Sequence, residues 1–268
     1  FDSGIGGLSV LRALIETLPG EDFVYVGDSG HAPYGERDDG HVIERSRAVL
    51  RHLRREHGIK LFVVACNTAT AAAIAHLRSE HPGFPIVGIE PALKPACGLS
   101  RTRRIGVMAT RGTLASTKFA HLLQRLSGEA TFVLQACDGL ADAIERQARV
   151  GPGDSEFAEL MARHAHAMGP FGSNAGMIDT VVLGCTHYPL ASATLQRIVG
   201  PGVRLVEPGA AVARQARLLL EQQGGQRERP APEVGRTLLL STGDPQGLAT
   251  ASRHWLALNV PATRVQIA

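Results

Sequence analysis

An internal repeat constrains the fold of this chain more than any other feature of its sequence. Residues 63–69 read VVACNTA and residues 181–187 read VVLGCTH, so in each segment an apolar run ends at a cysteine that polar residues follow. A second pair of segments comes next, IVGIEPA at 86–92 and VRLVEPG at 203–209. The cysteines of the first pair are 119 residues apart and the glutamates of the second pair 117. Two similar halves predict two similar domains.

Short apolar runs alternate with helical patterns along both halves. Continuous apolar runs are typical of strands that are covered on both faces of a parallel sheet. The predicted strands are 22–26, 61–65, 86–89, 105–109, 131–134, 180–183, 203–206 and 237–241. The predicted helices are 7–18, 42–57, 70–80, 114–126, 154–168, 191–198 and 210–222. This alternation predicts an α/β fold of two pseudo-symmetric α/β domains with largely parallel sheets, and an active site in the cleft between them at the carboxyl ends of the strands.

The chain after Glu207 is longer than the repeat requires, so we expect it to return and complete the first domain. The predicted domains are therefore residues 1–95 with 209–268, and residues 96–208. Residues 224–235 are rich in glycine, proline and charge and are predicted to form a surface loop.

The composition of the 268 residues excludes several classes of protein. Hydrophobic residues make up 44% and charged residues 20%, which is not typical of a disordered or fibrous chain. No apolar run approaches the ~20 residues of a membrane-spanning helix, so we expect no membrane partner. The formal net charge is only +3 and the arginines are scattered, so a nucleic-acid partner is not indicated.

The cysteine spacing and the glycine pattern indicate neither a metal site nor a bound nucleotide. The four cysteines include no C-x-x-C pair, so a zinc site or a redox dithiol is not supported. Free thiols are typical of a reducing compartment. Gly4 and Gly6 begin a G-x-G-x-x-G pattern, but Ser9 stands in place of its third glycine. We therefore predict no metal and no cofactor.

Cys66 and Cys185 occupy equivalent positions, each at the junction of a predicted strand and a predicted helix. The N–H groups and the dipole of a helix start favour a thiolate there. A single cysteine in this place would be interpreted as a buried small hydrophobe. An equivalent pair instead indicates acid–base chemistry, because one thiolate can remove a proton from a substrate carbon while the other thiol returns one to the opposite face. We therefore predict that both cysteines are catalytic and invert a stereocentre.

Polar residues directly after the two cysteines are candidates for substrate binding. Asn67 and Thr68 follow Cys66, and Thr186 and His187 follow Cys185. Such side chains, with the N–H groups of a helix start, bind anions, although helix capping also explains them. His187 is in addition a candidate to carry the proton of the neighbouring thiol.

Carboxylates at other predicted strand ends are further candidates. Asp2 and Ser3 follow what resembles the end of a first strand, where Asp2 can accept a thiol proton or bind a ligand ammonium group, or simply form a turn. Glu90 and Glu207 precede prolines, and for them a structural role is favoured over tuning of a thiol pKa.

Five motifs, in this order and spacing, resemble those of the glutamate racemases in the aspartate/glutamate racemase family. They are FDSGIGG, GDSGHAPYG, ACNTATA, GIEPA and GCTHYPL, and STGDP at 241–245 continues the likeness more weakly. The resemblance implies a cofactor-independent cytoplasmic racemase that is usually a homodimer and supplies D-glutamate for peptidoglycan synthesis. It implies Cys66 and Cys185 as the acid–base thiols. The matching substrate contacts are Asp2, Ser3, Tyr34, Gly35, Asn67, Thr68, Thr186 and His187.

The segment 135–145 departs from the family pattern, because Asp138 stands where proline is common. The acidic residue usual in this region is expected at Glu145. The alternatives are a racemase of aspartate or another amino acid, a maleate- or hydantoin-type relative and, from a different class, a non-catalytic amino-acid-binding module. GCTHYPL and the PYG loop favour glutamate, and the paired thiols argue against a binding module, which has no need of them.

Overall fold

The computed structural model describes residues 1–150, 156–225, 227 and 235–268. Most of the predicted surface loop at 224–235 therefore lies outside the described residues. The chain divides into two compact units, Phe1–Ile89 with Gly209–Ala268, and Glu90–Pro208. None of the described helices is both long and apolar enough to cross a bilayer.

Strands and helices alternate through the described residues. The strands are β1 (Phe23–Gly27), β2 (Phe62–Val64), β3 (Ile86–Gly88), β4 (Arg104–Ala109), β5 (Thr131–Ala136), β6 (Thr180–Leu183), β7 (Arg204–Val206), β8 (Thr237–Ser241) and β9 (Ala262–Arg264). The helices are α1 (Leu8–Thr17), α2 (Asp39–His57), α3 (Asn67–Glu80), α4 (Leu93–Leu99), α5 (Arg111–Ala115), α6 (Thr117–Arg125), α7 (Leu140–Val150), α8 (Glu156–Ala167), α9 (Ser192–Val199), α10 (Gly209–Gln222) and α11 (Pro245–Leu256). Each of the eight predicted strands is present.

All the strand pairs of the described residues are parallel, which confirms the predicted α/β class. In the second unit the strand order is β5-β4-β6-β7. In the first unit Phe1 and Asp2 lie between β1 and β2, since the Asp2 N–H donates to the Val26 carbonyl at 3.0 Å and the Ala65 N–H to that of Phe1 at 2.8 Å. The first unit thus runs β1, residues 1–2, β2, β3, the same order as the second, and the sequence repeat corresponds to a repeated topology.

The sheet of the second unit shows why its strands read as continuous apolar runs. Successive residues of a strand point to opposite faces. Val181 and Leu183 of β6 belong to one hydrophobic cluster and Val182 between them to another, and all three are fully buried. A strand covered on both faces needs apolar residues at every position.

The segment that begins at Gly209 packs into the first unit. Helix α10 lies against α1, and β8 pairs in parallel with β1. Strand β9 then pairs with the other edge of β8. The second unit has no equivalent of this added layer among its described residues.

The single helix predicted over 114–126 is wrong, because two helices, α5 and α6, cover this region. Ser116 separates them with an extended backbone, at φ −71° and ψ 142°. Its hydroxyl accepts the Phe119 N–H at 3.2 Å and so caps the second helix.

Candidate active site

Cys66 lies where β2 ends and α3 begins, and it is almost fully buried. Its backbone is extended, and its Sγ accepts the Ala69 N–H at 3.4 Å, so the thiol itself caps α3. The Oγ of Ser3 is 3.8 Å from the same sulfur. The predicted position at a helix start is confirmed for this cysteine, and the helix N–H groups favour its charged form.

Asp2 is fully buried in the turn that leads into α1. Its Oδ2 accepts the Gly4 N–H at 3.0 Å, which fixes the DSG turn. A Cβ added at Gly7 would lie 2.6 Å from the Cβ of Asp2, so only glycine allows the first turn of α1 to approach this closely. Gly7 thus lets α1 pack against Asp2, which lies with Ser3 in the unit that holds Cys66.

Asn67 is the first residue of α3 and carries a buried amide. Neither its Nδ2 nor its Oδ1 has a hydrogen-bond partner among the described residues. Leaving such a group unsatisfied costs about 1–3 kcal/mol, and buried polar groups therefore nearly always have partners. An unsatisfied amide beside the Cys66 thiol is the feature expected of a site that binds a polar ligand. Thr68, the next predicted contact, is half-buried.

Tyr34 and Gly35 lie in a 3₁₀ turn, Tyr34–Glu36, in the same unit. Tyr34 is buried, and its hydroxyl donates to the Oδ2 of Asp28 at 2.5 Å. Burial, followed by the negative charge of Asp28, raises the pKa of Tyr34, so this hydroxyl stays protonated as a donor. Asp28 was not among the predicted site residues, although it lies in the GDSGHAPYG motif shortly after a predicted strand.

Cys185 follows β6 in the second unit and is also almost fully buried. A turn through Thr186 and His187 follows it, and a short 3₁₀ helix, Tyr188–Ala191, precedes α9. The helix predicted at 191–198 is present as α9, so, unlike Cys66, this cysteine is not directly followed by an α-helix. Its Sγ is instead 3.8 Å from the Nδ1 of His187.

His187 connects Cys185 to Glu145 of α7, since its Nε2 is 2.7 Å from the Glu145 Oε2. Burial alone lowers the pKa of His187, but the hydrogen bonds and negative charges of Cys185 and Glu145 outweigh burial and raise it well above its ordinary value. The imidazole can therefore hold a proton between a thiol and a carboxylate. The expected acidic residue in the 135–145 segment, Glu145, contacts a predicted site residue.

The remaining candidates are distributed between the units. Thr186 is buried directly after Cys185. Glu90 forms an ion pair with Lys118 at 3.1 Å and is half exposed, which favours the structural role predicted for it. Glu207 is half-buried. Within the described residues, no three or more His, Cys, Asp and Glu side chains are grouped so as to hold a metal ion.

Comparison of the sequence with known proteins identifies the family of this chain. A family model described as Asp/Glu/Hydantoin racemase matches residues 5–216. The chain belongs to this racemase family. It is 45% identical over 246 residues to the glutamate racemase of Ectopseudomonas mendocina, covering 92% of this chain and 89% of that protein. It is 44% identical over 234 residues to the glutamate racemase of Methylococcus capsulatus, covering 87% and 83%.

Solved structures of the family share the fold. The glutamate racemase isoform RacE1 of Bacillus anthracis matches with a TM-score of 0.84 at 27% identity, over 99% of this chain and 96% of that one. The Escherichia coli glutamate racemase, solved in complex with L-glutamate and the activator UDP-MurNAc-Ala, matches with a TM-score of 0.82 at 28% identity, over 100% and 97%. The resemblance read from the sequence motifs is confirmed.

Proposed function

We propose that this protein interconverts L- and D-glutamate with two thiols, Cys66 and Cys185, one of which removes the Cα proton while the other supplies a new one to the opposite face. The observation that carries the proposal is the repeated topology, in which each thiol follows the equivalent strand, β2 or β6. The relatives support the substrate, because the curated proteins at 44–45% identity are named glutamate racemases. The alternative of a binding module without catalysis does not explain a thiol at both positions.

Each turnover removes one proton from Cα and adds a different one. One cysteine, as a thiolate, takes the Cα proton and leaves the electron pair on Cα, and the other, as a neutral thiol, gives a proton to the opposite face of Cα. The two sulfurs end with exchanged protonation states, so the next turnover in the same direction requires a proton to return. We propose that His187 with Glu145, and Asp2 with Ser3, assist these transfers on their respective sides.

The substrate carries two carboxylates and one ammonium group, and we propose partners for each. The buried amide of Asn67, the hydroxyl of Thr68 and the Tyr34–Gly35 turn bind one carboxylate of the substrate. Thr186 and His187, which belong to the other unit, bind the second carboxylate. Asp2 is the proposed partner of the ammonium group. An unsatisfied amide at Asn67 supports this assignment, because a carboxylate accepts from its Nδ2.

The two thiols supply both the base and the acid, so we propose that the reaction uses no metal and no cofactor. We further propose that the protein acts as a homodimer in the cytoplasm and supplies D-glutamate for peptidoglycan synthesis. The four free cysteines of the described residues support a reducing compartment, where thiols persist.

The test is racemisation of D-glutamate in heavy water without added cofactor. Circular dichroism should decay to zero as the enantiomers equalise, and deuterium should enter Cα of the L-glutamate that forms. D-Aspartate, run in parallel, tests the related substrate. A constant circular dichroism signal with D-glutamate would refute the proposal. A faster loss of signal with D-aspartate would show that aspartate, not glutamate, is the preferred substrate.

A further inference from the structure

A buried carboxylate, Asp28, is the centre of a hydrogen-bond network that the proposed mechanism does not use. It directly follows β1, and its side chain has no exposed surface. Its oxygens accept from the Tyr34 hydroxyl at 2.5 Å, from Nε and Nη2 of Arg45 at 3.0 Å and from the Thr242 hydroxyl at 2.8 Å. The Nδ1 of His31 is 3.1 Å from its Oδ1. These partners satisfy the lone pairs of the carboxylate, as a fully buried charge requires.

The network joins two of the proposed substrate-binding segments. The Asp28 N–H donates to the Asp2 carbonyl at 2.9 Å, which fixes the backbone of Asp28 beside the DSG turn. The Asp28 carboxylate holds the hydroxyl of Tyr34, the residue before Gly35. Asp28 therefore determines where the Tyr34–Gly35 turn lies relative to Asp2.

The C-terminal segment, which has no counterpart in the repeat, also contributes hydrogen bonds to this network. The Thr242 hydroxyl, which donates to Asp28, also accepts the Gly30 N–H at 3.1 Å. Arg45 donates through Nη1 to the Ile267 carbonyl at 2.9 Å, so the chain end is tied to the same guanidinium that binds Asp28. A Cβ at Gly30 would lie 2.8 Å from the Thr242 carbonyl oxygen, which shows how tightly the two segments pack.

We propose that Asp28 is a positioning residue of the racemase, which holds the Tyr34–Gly35 turn in its substrate-binding conformation, and that Thr242 holds Asp28 in turn. The inference rests on the proposed function, because Tyr34 and Gly35 are proposed substrate contacts. A rigid substrate-binding turn avoids the entropy of ordering it on binding, and a displacement of about 1 Å in such a contact can cost up to ~100-fold in rate.

The charge states of Asp28 and Tyr34 favour the hydrogen bond between them. Burial alone raises the pKa of Asp28, but hydrogen bonds from Arg45 and Tyr34 outweigh it and hold the pKa below its ordinary value. The carboxylate is therefore ionised and the Tyr34 hydroxyl protonated over the working pH range. A hydroxyl that donates to a carboxylate forms one of the stronger hydrogen bonds of proteins.

The test compares two substitutions that each remove one hydroxyl from the network, Tyr34→Phe and Thr242→Val. The control is Thr263→Val, at an exposed threonine of β9 in the same C-terminal segment. We expect KM for both enantiomers to rise about tenfold in the two network variants, with kcat changed less than about threefold. The control should match the wild type, and Thr242→Ser, which keeps the hydroxyl, should restore KM.

Thermal unfolding of each variant separates positioning from stability. If the network variants unfold at lower temperature but bind glutamate with the KM of the wild type, Asp28 and Thr242 only stabilise the unit and the inference is overturned. Inactivity of the wild type towards glutamate would instead refute the proposed function. Should Thr242→Val not fold, Thr242→Ala takes its place, because Tyr34 is itself a proposed substrate contact and Thr242 acts only through Asp28.

Discussion

Replacing Glu145 with glutamine tests whether this carboxylate keeps the His187 imidazole protonated beside Cys185. Glutamine preserves the side-chain shape but removes the negative charge 2.7 Å from Nε2. A hydrogen bond to a charged group contributes about 1.5–3 kcal/mol. Since 1.36 kcal/mol corresponds to one pKa unit, the limb of the pH–rate profile at which His187 loses its proton should move by about 1–2 pH units.

The direction of this change follows from the sign of the interaction. Glu145 raises the pKa of His187, so the variant loses the imidazolium at lower pH, and the alkaline limb of kcat/KM moves towards acid. At pH values above the alkaline limb of the wild type, kcat/KM should be about 10–100-fold lower in the variant. Because the enantiomers have equal free energy, the fall must be the same in both directions, which provides an internal check.

The matched control is Asp142→Asn, one turn earlier on α7. Its carboxylate is exposed and pairs with Arg146, so its loss should leave the pH profile of racemisation unchanged. Initial rates for L- and D-glutamate are measured across the pH range for the three proteins. A Glu145→Gln profile that coincides with the wild type would show that His187 does not depend on Glu145 for its proton, and the reasoning would be refuted.

Three further predictions concern the thiols, the ammonium site and the stability of the second unit. Cys66→Ser and Cys185→Ser should each slow racemisation about 10²–10⁴-fold, because a hydroxyl is a far weaker acid than a thiol, whereas the control Cys97→Ala should not. Each serine variant should exchange the Cα proton of one enantiomer only, and exchange of the same enantiomer by both variants would disprove the pairing of the thiols. Asp2→Asn should lower kcat/KM for both enantiomers about 10–100-fold, and unchanged kinetics would remove Asp2 from the site. Burial alone raises the pKa of Asp179, but hydrogen bonds from Ser100, Arg101 and Thr102 outweigh it and lower the pKa from 3.8 to about 2. Asp179→Asn should therefore lower the free energy of unfolding in urea by about 2 kcal/mol at pH 7. This contribution is present above pH 4 and is lost as the pH falls towards 2, so equal stabilities at pH 7 would contradict it.

The strands were predictable because burial on both faces leaves a continuous apolar run in the sequence. Strand β9 has no such signal, since its three residues, Ala262–Arg264, are half-buried or exposed at the edge of a sheet. Helix α11 was missed although its start is marked in the sequence, as Asp244 precedes Pro245 and its carboxylate accepts the Gly247 N–H at 3.1 Å. Helix α7 was missed as well, although Leu140, Ala143 and Ile144 follow the spacing of a buried helical face.

The site was predictable to the extent that it is encoded locally. The cysteines and their neighbours stand in repeated motifs, so the sequence alone singled them out. The contact of His187 with Glu145 spans 42 residues, and that of Thr242 with Asp28 spans 214. No periodicity or capping pattern encodes side-chain contacts over such separations, because they depend on how whole elements pack. Resemblance to a family supplied Glu145, whereas the hydrogen-bond network around Asp28 is visible only in the structure, although Asp28 lies within a quoted motif.

The two halves of the repeat keep the position of the thiol but not its surroundings. Cys66 caps α3, where the helix N–H groups favour a thiolate. Cys185 is followed by a turn instead, and its Sγ lies 3.8 Å from the Nδ1 of His187, whose raised pKa favours the imidazolium form. The proposed proton transfers need one thiol from each half, and the repeat supplies both at the ends of equivalent strands. The repeat therefore preserves the topology, on which the proposed geometry depends, and the electrostatics of its two halves differ.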